Sequence, residues 1–210
     1  MSDGIGRRRF LTATTGVAAL CSVTGCLSGG SDGYRVRMGD DADWQSLTPL
    51  ETGSSHREAY CGAEDEECET AQHGLDRSNV VTMFLHRDVT GDGDTDDALV
   101  LTYDTPDDSA GSAVLELDEP ISVEEDLIVA DGPVGEDGRT GDSYEPNRLS
   151  HTWAENYTDG AVIALEPLSE PTLEFIETDG LDEMVVLSGS DPADTEAYSS
   201  AVDLNVTFDV

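Results

Sequence analysis

Five oxygen-bearing side chains recur at every second position between residues 88 and 96: Asp88, Thr90, Asp92, Asp94 and Asp96, with Gly93 inside the run. That pattern suits a hard divalent cation. Calcium takes roughly six to eight oxygens, supplied by an acidic loop at alternate positions around a glycine that permits the sharp turn. Thr90 offers only a neutral hydroxyl, and the place of a closing bidentate glutamate is held by Leu99. The plainer alternative is an ordinary acidic turn in an acid-rich chain. The spacing favours a structural calcium ion of the weak extracellular class.

The elements that must hold this loop are short apolar runs at 80–85 and 98–103, rich in Val, Leu, Thr and aromatic residues, and read as two adjacent strands. The string DVTGDGDTD followed by an apolar strand resembles the calcium loop of FG-GAP and VCBS repeats. The resemblance covers a dozen or so residues of one repeat. It implies that Asp88, Asp92 and Asp96 ligate through carboxylates and Asp94 through its carbonyl.

Further strands are expected at 34–38, 114–117, 122–130, 161–165, 171–177 and 183–187. The clearest lies at 202–210, where Val202, Leu204, Val206, Phe208 and Val210 alternate with polar residues. Residues 39–78 read as irregular, anchored by Trp44, Leu47 and Leu50, and 131–150 as a polar loop. Asp191, Pro192 and Asp194 predict one short helix running to Ala201. The expectation is all-β: one sandwich-like or closed antiparallel sheet domain over 34–210, with at most one or two short helices.

The first residues read as an address. Arg7-Arg8-Arg9-Phe10-Leu11, a weakly apolar run, and Val23-Thr24-Gly25-Cys26 resemble a twin-arginine signal peptide ending in a lipobox. The resemblance implies cleavage after residue 25, lipidation of Cys26, and a tether over 26–33 that keeps the domain near the extracytoplasmic face of the membrane.

Composition describes the solvent. The chain carries 46 acids against 10 bases, all arginine, for a net charge of −36. Such self-repulsion opposes folding in dilute buffer, whereas molar salt shortens the screening length to about 3 Å. This resembles proteins of extremely halophilic archaea. It excludes nucleic acid as a partner, because phosphate binding needs clustered cations.

With Cys21 in the signal peptide and Cys26 lipidated, Cys61 and Cys68 remain for a disulfide in an oxidising compartment. Closing that loop would contribute roughly 2.5 kcal/mol. His56, Cys61, Cys68 and His73 also carry the ligand types for zinc, but the compartment favours the disulfide. His86 and His151 read as isolated surface or strand-end histidines. Asn156 and Asn205 stand in glycosylation sequons.

These readings converge on a lipid-anchored binding or accessory module of a halophilic cell surface, its partner an envelope protein or glycan. A surface hydrolase using carboxylates from 131–150 is the alternative.

Overall fold

The computed structural model describes residues 33–61, 73–89, 96–103, 110–131, 141–155 and 157–210. The export motif, Cys26 and nearly all of the tether lie outside them. The first five strands are β1 (Arg35–Met38), β2 (Gln45–Ser46), β3 (Leu50–Glu51), β4 (Val80–Arg87) and β5 (Asp97–Tyr103). Next come β6 (Gly111–Leu117), β7 (Leu127–Asp131), β8 (Ser143–Glu145), β9 (Arg148–Trp153) and β10 (Asp159–Ala164). The last four are β11 (Thr172–Asp179), β12 (Glu183–Ser188), β13 (Glu196–Ala201) and β14 (Val206–Asp209). The helix found among the described residues is α1 (His56–Cys61). No helix among these residues is long and apolar enough to cross a membrane.

The strands form two open sheets, in the all-β architecture of a sandwich. Sheet A runs β2-β1-β14-β11-β6-β9-β8, and sheet B runs β13-β12-β4-β5-β10-β7, with β3 also pairing with β4. The anticipated central hairpin forms, with β4 and β5 antiparallel from Val81↔Tyr103 to Arg87↔Asp97. Two pairings depart from an antiparallel sheet: β4 lies parallel to β12 and to β3. Parallel neighbours need long crossovers, and the chain between β4 and β12 passes through most of sheet A.

Period-two burial explains the packing. On one face of sheet B, Val81, Met83, Leu85, Leu99, Leu101, Tyr103, Ile163 and Met184 meet Val36, Leu115, Leu149, Trp153, Phe175 and Phe208 of sheet A. On the other face Val80, Phe84, Val100, Val162 and Leu187 pack with Leu50 and with Tyr60 and Cys61 of α1. The centre of sheet B is therefore buried on both faces, which is why 80–85 and 98–103 read as continuous apolar runs.

Four expectations are corrected. Residues 56–61 form a helix within the stretch read as irregular. Ser55 and Glu58 make a reciprocal cap: the Glu58 carboxylate accepts from the Ser55 backbone N–H at 3.0 Å, and the Glu58 N–H reaches the Ser55 hydroxyl at 3.3 Å. The helix expected before Ala201 is absent. Asp191 instead closes a turn, accepting from Ala193 N at 2.8 Å and Asp194 N at 3.0 Å, and residues 196–201 pair with β12. Part of the 131–150 loop is a hairpin, β8–β9, joined through Pro146 and Asn147. The last strand begins only at Val206, because residues 201–205 must turn from sheet B to sheet A, and Leu204 is exposed there.

Gly160 of β10 sits where α1 meets sheet B. A Cβ there would lie 2.1 Å from the Leu101 carbonyl oxygen and 2.5 Å from the Tyr60 hydroxyl. Gly160→Ala should therefore destabilise the domain by about 3 kcal/mol, the upper range for overpacking. In a domain of this size that lowers Tm by roughly 6–12 °C, measurable by thermal unfolding in molar salt. A loss below about 1 kcal/mol would show that α1 does not pack there as described.

Candidate cation and ligand site

The acidic loop springs from the end of the β4–β5 hairpin. Asp88 N donates to the Asp96 carbonyl at 3.1 Å, extending the ladder one step past Arg87↔Asp97. Thr90, Asp92 and Asp94 lie outside the described residues. Of the five loop positions, the structure therefore places Asp88 and Asp96, at the two ends of the loop.

Asp97 fixes the base. Arg87 grips it with two bonds of 2.8 Å, from Nε to Oδ1 and from Nη2 to Oδ2. This two-pronged, charge-assisted contact locks the strand register. The Tyr34 hydroxyl also donates to Asp97. Burial, and then the Asp97 carboxylate, push Tyr34 up to about 12.

At this end of sheet B a pocket of about 930 Å³ opens, lined by Tyr34, His56, Asp96, Asp97, Glu125 and Glu166 among others. Asp96 leads into β5, Glu125 sits in the turn before β7, and Glu166 follows β10. Among the described residues the lining holds four carboxylate side chains and no arginine. With Asp97 held by Arg87, three acids remain as acceptors facing the space. Such a wall can coordinate a cation, or accept hydrogen bonds from hydroxyl or amine groups.

Behind the pocket lies a histidine pair that the sequence did not reveal. His86 is fully buried, on the α1 side of β4. Its Nδ1 lies 2.7 Å from His56 Nδ1, and its Nε2 lies 2.8 Å from the Thr52 hydroxyl. A bond between two Nδ1 atoms needs one N–H and one lone pair, so the rings cannot both be charged. Burial, and then the charge of His56, lower His86 to about 4. Burial lowers His56 as well, against the pull of Asp88, Asp96 and Asp97. His73, edge-on to Phe84 at 5.1 Å, is lowered to about 4 by burial, opposed by Asp76. His56, in α1, and His73, edge-on to Phe84, both fall on the α1 side of sheet B. However, the His56 Nδ1 is taken by His86. Cys68 lies outside the described residues.

His151 is also fully buried rather than at the surface. Leu149, His151 and Trp153 alternate inward along β9, a period-two signal present in the sequence that begins at the end of the 131–150 stretch read as loop. Asp142, from that same stretch, accepts from Thr152 N at 2.8 Å. Burial, and then the neighbouring Asp159, push its carboxyl up to about 6. Of the sequons, Asn205 donates its amide to Asp40 at 2.9 Å, and Asn156 lies outside the described residues. Compared with family models, curated proteins and solved structures, the chain matches none.

The histidines set an acid limit. His56, His73 and His86 bind a proton less readily when folded than at their ordinary value of 6.5. Their contribution is complete above that pH and is lost as pH falls from 6.5 towards 4. Asp142, raised to about 6, acts in the opposite sense over part of this window, as one group against three. In molar salt, which screens the general acid repulsion, Tm should fall as pH drops from about 7 to 4.5. His86→Asn should remove about half of that net slope. A Tm that is flat or rising over this window would contradict the buried neutral histidines.

Proposed function

We propose that the protein is a lipid-anchored, extracytoplasmic binding module of a halophilic cell envelope, which holds a hydroxyl-rich ligand, such as an envelope glycan, through calcium and carboxylates. The observation that carries this reading is the acidic pocket at the loop end of the β4–β5 hairpin, where Asp96, Glu125 and Glu166 offer acceptors and no arginine stands among the described lining residues. The motif Asp88, Thr90, Asp92, Asp94 and Asp96 supplies the calcium loop, so an ion held there would stand at the rim of the pocket. Sugar hydroxyls can both coordinate calcium and donate to carboxylates, which gives one ligand class for the two features.

The anchor reading rests on the twin-arginine run and on Cys26. Membrane attachment through that lipid would keep the pocket within reach of surface polymers. A disulfide between Cys61 and Cys68 would close the connection leaving α1, the helix that brings His56 to the pocket wall. The acid surplus keeps such a surface hydrated in concentrated salt.

Calcium binding is read first as a thermal shift in molar KCl, where general screening is already complete. Free calcium at 100 times the dissociation constant should stabilise the fold by about 2.7 kcal/mol, and equimolar magnesium by less. Asp92→Ala should abolish most of the gain, whereas Asp203→Ala, at an exposed turn, should keep it. A glycan array probed in the same salt should then show binding that needs calcium and is lost in the Glu125→Gln/Glu166→Gln double variant. No calcium shift, or an equal response in both aspartate variants, would reduce the loop to an acidic turn. Calcium binding with no glycan retained would overturn the ligand class.

A further inference from the structure

A second polar cluster lies apart from the pocket, between the two sheets. His151 projects inward from β9 of sheet A and Asp159 from the start of β10 in sheet B, both fully buried. Asp142 joins them from the segment entering β8 and is half-buried. One donor atom from each of the three lies within 4.8 Å of the others. We propose that Asp142, His151 and Asp159 form a binding site for a divalent transition metal of the zinc class, which would tie sheet A to sheet B.

Unsatisfied chemistry points the same way. His151 Nδ1 lies 3.0 Å from Asp159 Oδ1. A zinc-class ion would take the place of the proton in that contact, with Nδ1 and the carboxylate as two of its ligands. His151 Nε2 and Asp159 Oδ2 have no hydrogen-bond partner among the described residues, although both atoms are buried. The hydroxyl of Tyr103, whose ring centre lies 4.7 Å from that of His151, is likewise buried without a partner there. A buried carboxylate left half satisfied is costly, and a dication offsets that cost directly.

The donors are one imidazole and two carboxylates. This set suits zinc, whose bonds to N and O run about 2.0–2.2 Å, and suits calcium poorly, which prefers six or more oxygens. Tetrahedral bonds of that length bring donors to about 3.4 Å from one another, so the widest gap must shrink by roughly 1.5 Å. Asp142 can supply the movement. It precedes a three-residue edge strand and is partly open to solvent, which also gives the ion its way in. Three protein ligands leave a fourth position free, beside the Tyr103 hydroxyl.

The test uses the full chain in molar KCl with excess CaCl₂, so that surface acids and the calcium loop are already occupied. Cobalt(II) and zinc(II) are titrated as the metals alone, with metal content measured after dialysis and the visible bands of four-coordinate cobalt recorded. The expected result is one equivalent per chain, cobalt bands that zinc bleaches, and at least tenfold weaker binding in Asp142→Asn. Glu166→Gln, in the acidic pocket, should bind as the wild type does. The wild-type titration stands alone should Asp142→Asn fail to fold. No stoichiometric binding by the wild type would overturn the proposal, as would binding that survives in Asp142→Asn or is lost in Glu166→Gln. Neither result bears on the calcium shift assigned to the loop.

Discussion

One constraint shapes this molecule: β4 is covered on both faces and must be held in register against three other strands. It pairs with β5, β12 and β3. Its residues alternate between the sandwich interior and the layer under α1. A slip of one residue would exchange Met83 and Leu85 with Thr82, Phe84 and His86, putting polar groups between the sheets. The two-pronged Arg87–Asp97 contact stands at the end of this ladder and fixes the pairing where the acidic loop begins. The loop ends, the pocket and the histidine pair all take their positions from that strand.

Charge is distributed to serve the same frame. The few bases beyond Arg7, Arg8 and Arg9 include Arg35, Arg87 and Arg148, and each pairs across neighbouring strands with an acid: Asp209, Asp97 and Glu116. Arg35 and Arg37 also lie over the Trp44 ring, at 5.1 and 4.9 Å. The exposed pairs add little each, whereas Arg87–Asp97 is largely shielded and ties down the edge from which the acidic loop springs. The acid surplus is left for the surface and the pocket. The fold is thus an apolar three-layer interior inside a strongly negative shell, whose repulsion concentrated salt suppresses.

Much of the architecture was legible where burial is periodic. The central hairpin, the all-β class, β12 and the inward Val206 and Phe208 follow from apolar spacing. What escaped depends on contacts between distant segments. The α1 cap, Ser55 with Glu58, is present in the sequence, but the helix behind it is too short to show a helical period. His151 was hidden because a buried histidine takes an apolar place in a strand only when something polar faces it. Its partner Asp159 lies eight residues away, on the other sheet. His86 shows the same blindness, since its partner His56 arrives from α1. The loop acids were visible from spacing, yet Glu125 and Glu166, which complete the pocket, come from turns whose meeting only the sheet order creates.

The account stands or falls on β4 as the doubly buried centre, and amide hydrogen exchange in molar salt measures this strand by strand. Amides of β4 and β5 that bond within sheet B should exchange only through global unfolding, and more slowly than any others. Those of the edge strands β2 and β13 should exchange through local opening at much lower free energy. Exchange of β4 amides at the rate of the edge strands would contradict the arrangement.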